Sequence, residues 1–210
     1  MRKTIYPVLA ALALTIGCSQ KDVSNQSAEY WYRQVSEQIA RGALELAGDR
    51  YSSLAGEHFG SPLLAEATMM MALAHMDAEE YLLANFYLDE YAKRFGAARD
   101  SDRIAYLKLL SDYRGIKRAL RDQKLILDVM ERSESFVSRF AASELKPFAA
   151  AINVKTKLMN NELSKNVAAL YSRQDKEKAA QYYEKQGEFK PIQDGKLESS
   201  KSWWLRSWFE

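Results

Sequence analysis

Four features of the chain have residue types that could do chemistry, and their spacing decides what each can do. His58 and His75 lie 17 positions apart. Neither belongs to an HExxH-like pair, in which two histidines one helical turn apart share a metal. Each therefore reads as a packed or surface residue rather than a ligand. Glu79-Glu80 could be imagined as the paired acids of a glycosidase. Adjacent helical residues point about 100° apart, however, and acids at a helix start are ordinary capping chemistry. In Met69-Met70-Met71 at least one methionine must be core, while the others are soft enough to line an adaptable peptide-binding surface. Cys18 is the single cysteine and makes no intramolecular disulfide, so it is an inert core residue, a reactive group or an attachment point. No glycine-rich phosphate loop and no GxSxG is present. The expectation is a protein without catalytic residues, metal or cofactor.

The setting of Cys18 chooses among its three readings. Arg2 and Lys3 form a charged start, Ile5 to Ile16 an apolar run, and Gly17 a small residue before the cysteine. The run is about a dozen residues, short of the roughly 20 that a membrane-spanning helix needs. Leu14-Thr15-Ile16-Gly17-Cys18 resembles a bacterial lipoprotein signal. That resemblance implies cleavage after Gly17, diacylglycerol on the Cys18 sulfur and an acylated new amino terminus. Several acyl chains, at about 0.8 kcal/mol per buried methylene, hold a protein firmly. Ser19, where aspartate resembles an inner-membrane retention signal, points to the periplasmic face of the outer membrane. Removing residues 1–17 leaves 28 basic and 28 acidic residues, and a neutral domain argues against nucleic acid as partner.

The elements behind these residues are helices. Residues 18–27 are polar and aperiodic, a tether; from 28 to 187 apolar residues recur every three or four positions. Trp31, Val35 and Ile39 form one stripe, Leu44, Ala47, Tyr51, Leu54 and His58 the next. Leu64, Ala67, Met71 and Ala74 follow, then Ala84, Leu88, Tyr91 and Phe95, and Ile126, Met130, Val137 and Phe140. Breaks near 41–42, 60–62, 77–79, 96–101 and 172–175 predict about eight helices. "HFGS", "RFGA" and "RFAA" each close an apolar helix, with Phe59 to Phe95 spanning 36 residues and Phe95 to Phe140 spanning 45. Helix pairs repeating near 34 residues are the tetratricopeptide signature. A small residue such as Ala47, Ala84 or Ala179 lets paired helices approach, and the closing aromatic plugs the gap to the next pair. The predicted fold is all-α: a right-handed superhelical solenoid of about four hairpins, 28–61, 62–98, 100–143 and 147–187. The long third unit requires an insertion or an extended helix near 115–125.

Residues 188–210 change character: a proline- and glycine-containing linker leads to "SWWLRSWFE", with Trp203, Trp204 and Trp208. Trp204 and Trp208, like Leu205 and Phe209, are four apart. Three readings stand: a cap over the open solenoid end, an interfacial membrane segment, or a peptide docked in a partner's groove.

The lipobox, "YWYRQVSEQIARG", "EHFGSP", "LANFYLDEYAKRFG", "DSDRIAYLKLL" and "ELSKNVAALYSRQDKEKAAQYYEKQG" together resemble the BamD (ComL) family of outer-membrane assembly lipoproteins. The acid and tyrosine of its third repeat fall on Asp102 and Tyr106. Many members carry a fifth repeat where this chain has the tryptophan-rich tail. The resemblance implies binding to the periplasmic domains of the barrel protein BamA and recruitment of unfolded outer-membrane proteins. Candidate substrate-groove residues are Tyr30, Tyr32, Arg33, Met70, His75 and Tyr106. Candidate docking residues are Arg173, Lys176, Lys178, Trp203, Trp204 and Trp208. Another tetratricopeptide lipoprotein scaffold, a secretin pilot or a peptidoglycan-linked protein, is the alternative; a periplasmic wall enzyme is a remote third.

Overall fold

The structure, a computed structural model, describes residues 25–96, 101–116 and 122–186. Cys18 and the tryptophan-rich tail lie outside them. Among the described residues the chain is all-α, with eight helices and no strand. They are α1 (Ala28–Ala40), α2 (Leu44–Glu57), α3 (Pro62–Asp77), α4 (Tyr81–Phe95), α5 (Ser101–Arg114), α6 (Gln123–Arg139), α7 (Lys146–Ser172) and α8 (Glu177–Gln186). The chain divides into two compact units, Met1–His75 and Met76–Glu210.

In the first unit, Ser27 caps α1 by accepting the Tyr30 N–H at 3.2 Å. Gly42 ends the helix at φ +73°. Its N–H donates to the Ile39 carbonyl and that of Ala43 to the Gln38 carbonyl, which together make a Schellman closure. The turn lays α2 back along α1, and two bonds lock the open end. Trp31 Nε1 donates to Glu57 at 2.7 Å. His58 Nε2 lies 2.6 Å from the Gln26 carbonyl, which can only accept, so the ring nitrogen is the donor. Trp31, Val35, Ala47, Leu54, Leu64, Ala67 and Met71 fill the core. Tyr51 and Thr68 share a buried hydrogen bond of 3.0 Å that ties α2 to α3.

In the second unit, α4 to α8 pack successively, each on its neighbour, and α5 also reaches α7. Asp102, Tyr106 and Asp112 of α5 meet Ser143, Phe136 and Arg132 in reverse order, so α5 and α6 are antiparallel. Asn85 donates to Asp112 at 2.7 Å, Lys108 pairs with Asp89, and Lys157 pairs with Glu134 at 2.7 Å. Within the core, Asn153 of α7 donates to the Ser133 hydroxyl of α6 at 2.7 Å. Tyr171 and Tyr183 stack across the α7–α8 hairpin at 5.5 Å.

Several expectations shift. Phe59 is 67% exposed, past the end of α2, and His58 makes a closing contact there. Phe95 and Phe140 are half-buried, each in ring contact with the aromatic residue four positions earlier, Tyr91 and Phe136. The buried stripe of α6 is Ile126, Val129, Ser133 and Phe136, one residue off the expected Met130 and Val137. Apolar residues come in adjacent pairs there, so spacing alone does not choose between neighbours. For the same reason the close-approach alanine of α8 is Ala180 rather than Ala179. α5 ends at Arg114 and α6 opens at Gln123, and residues 117–121, within the stretch expected to hold an insertion or an extended helix, lie outside the described residues.

Candidate functional site

The groove candidates fall in two places. Tyr30, Tyr32, Arg33, Met70 and His75 belong to the first unit and Tyr106 to the second. Tyr32 is half-buried on α1, and burial, followed by a hydrogen bond to the Glu66 carboxylate of α3, raises its pKa. Half-buried Met70 lies one helical turn beyond Glu66, so Tyr32 and Met70 share the region where α1 faces α3. Arg33 is exposed, and Tyr30 sets its ring edge-on to Trp31 at 5.2 Å. His75 is only 5% exposed and faces the packed side of α3. Met71 is the core methionine of its run, while Met69 and Met70 are half-buried. Glu66 carried no signal in the sequence; it is singled out only by the hydroxyl that meets it.

Tyr106 sits inside an aromatic cluster, 6.1 Å from the Phe136 ring and 6.3 Å from that of Phe148, and burial raises its pKa. It therefore joins α5, α6 and α7. Beside it an open groove of about 570 Å³ runs between α5 and α6, with Lys124, Glu131, Arg139 and Phe140 among its walls. One turn earlier on α5, Asp102 accepts from the Ser143 hydroxyl at 2.6 Å. That bond first, then the Arg103 and Asp102 backbone N–H groups, hold its carboxyl below the ordinary range. A depressed folded pKa contributes stability that is present above the unfolded value, about 3.9, and is lost as pH falls through the folded value. Ser143→Ala should therefore shift acid-induced unfolding to higher pH and flatten its pH dependence, as read by thermal melts over the carboxylate range.

The docking candidates Arg173, Lys176 and Lys178 are all exposed around the α7–α8 turn. That turn is closed without glycine: Asp175 takes φ +56°, and the Asp175 and Lys176 N–H groups donate to the Ser172 and Tyr171 carbonyls. Lys176 also lies over the Tyr171 ring at 5.7 Å and donates to Gln174. The three cations thus ride on a fixed turn. The exposed face of α8 is largely polar, with Lys178, Gln181, Glu184 and Lys185 beside Tyr182.

One surface the sequence reading missed is on α4, where Leu82 is 88%, Leu83 47% and Phe86 54% exposed. The buried stripe of Ala84 and Leu88 lies on the other side. Its only sequence signal was a run too apolar for one buried stripe. Among the described residues no group of three or more His, Cys, Asp or Glu could hold a metal ion, and no helix is long and apolar enough to cross a membrane.

Helices packed in antiparallel succession define an all-α, tetratricopeptide-like protein. The comparisons narrow that class. The model of the YfiO family, described as an outer membrane lipoprotein, matches residues 24–189. The outer membrane protein assembly factor BamD of Helicobacter pylori is 34% identical over 183 residues, 85% of this chain and 83% of that protein. The chain belongs to the YfiO (BamD) family of outer membrane lipoproteins.

Proposed function

We propose that this protein is a lipid-anchored, non-enzymatic scaffold of outer-membrane β-barrel assembly, held through Cys18 at the periplasmic face of the outer membrane. It binds the periplasmic domains of BamA and helps to recruit unfolded outer-membrane proteins. The observation that carries this reading is the relationship, along most of the chain, to a protein described as an assembly factor. The exposed cations of the α7–α8 turn suit a docking contact with BamA. Tyr32, Arg33 and Met70 offer aromatic, cationic and flexible apolar contacts for an unfolded segment. The test is a pull-down with the purified periplasmic domains of BamA from the same organism. Binding at micromolar concentration is expected; its absence would overturn the reading in favour of a different lipoprotein scaffold.

A further inference from the structure

We infer that the tryptophan-rich segment 201–209 of this chain docks on the exposed apolar face of α4. Along one side of α4, Leu82, Leu83 and Phe86 form an exposed apolar stripe with i, i+1, i+4 spacing. Acids bracket them. Residues 77–90 hold Asp77, Glu79, Glu80, Asp89 and Glu90 and no basic residue. Asp89 pairs with Lys108, yet its side chain is still 61% exposed, and Glu90 pairs with Arg94.

This charge ring selects the occupant. An anionic lipid surface is repelled by a field of acids. A second copy laying its own α4 on this one would set acid against acid. The segment 201–209 has the complementary pattern: Lys201 and Arg206 are its charges, and Trp204, Leu205 and Trp208 repeat the i, i+1, i+4 spacing of the α4 stripe. The other described end of the second unit does not compete for it, because α8 turns a largely polar face outward and a solenoid end of that kind needs no cover.

The chain is long enough. From α8 the path to α4 runs through α7 and α5, which touch. Three helix spacings of 8–10 Å amount to about 30 Å. Residues 187–200, at about 3.3 Å each, can span at most about 46 Å.

Three of the four tryptophans lie in the tail, and the fourth, Trp31, is buried. Indole fluorescence therefore reads the docking directly. The chain from residue 19 onward, purified without detergent, should show tail indoles that are blue-shifted and protected from acrylamide. Leu82→Asp with Phe86→Asp, two exposed positions, should red-shift the emission and raise quenching several-fold while leaving the far-UV circular dichroism and melting temperature unchanged. Lys201→Glu with Arg206→Glu should do the same from the other partner, whatever α4 tolerates. Leu127→Asp, at an exposed position on α6, should change nothing. Wild-type quenching as high as in denaturant would overturn the inference, as would both double variants leaving it unaltered. Protection that fades on dilution would overturn it in favour of a second copy's tail. Protection that appears only with added phospholipid vesicles would overturn it in favour of the membrane.

Discussion

Trp31→Ala should cost the first unit about 4 kcal/mol, at the level of the largest core truncations. Trp31 is 1% exposed and is among the largest fully buried side chains of the protein. It occupies the open end of the α1–α2 hairpin, where its indole N–H meets Glu57 and Arg50 approaches its ring face at 6.0 Å. Truncation removes the whole aromatic body from a unit whose described residues form three helices to collapse around the void. It also leaves Glu57 without its main partner. Equilibrium urea unfolding of the full chain reads the loss as a fall in midpoint, with a separate early transition if the first unit melts alone. Trp31→Phe separates packing from hydrogen bonding, since it keeps most of the volume and loses the donor. Glu57's carboxyl is held low first by Trp31. Its contribution is therefore present above the ordinary carboxylate pKa and vanishes as pH falls through the folded value. In Trp31→Phe the acid limb should lie flatter than in wild type. An acid limb identical to wild type would refute the role given to this bond.

The second large effect concerns binding. Arg173→Glu, Lys176→Glu and Lys178→Glu combined should weaken binding to the periplasmic domains of BamA roughly 100-fold, at about 1 kcal/mol for each reversed surface charge. Most of the loss should appear in the association rate and shrink in high salt, because exposed charges act by steering. The fold should be unaffected, since all three side chains are exposed on a turn held by backbone hydrogen bonds. An unchanged dissociation constant at low salt would move the contact elsewhere on the protein. Arg33→Glu, exposed on α1 in the first unit, is the matched control.

How far the sequence could be read depended on whether the deciding signal was local. The end of α1 was legible because Gly42 is the residue type that a left-handed closure favours. The closures at Glu79 and Asp175, with φ +60° and +56°, use residues whose type does not announce them. The breaks there were visible only as lapses in periodicity. Buried stripes were legible where one apolar residue stood per turn, as at Ala47, Tyr51 and Leu54. They slipped by one on α6, where Val129-Met130 and Phe136-Val137 offer two choices each. Of the candidate site, the cations of the α7–α8 turn could be found from their place at a helix end. Glu66 beside Tyr32 could not, because it depends on how α1 meets α3. Nor could the burial of His75, which follows the apolar run Met69 to Ala74 on α3.

The 27 residues of α7 make it about 40 Å long, and this length bears on how the second unit comes apart. An array of independent hairpins can lose an end repeat while the rest survives. Here one rod is clasped by α6 and α8 and touched by α5, so no hairpin can leave without stripping a partner from it. Opening of this unit should be concerted, with the amides in the middle of α7, around Ile152 to Leu163, the last to exchange with solvent. A load passing along the chain from the α8 end would meet a splint rather than a hinge.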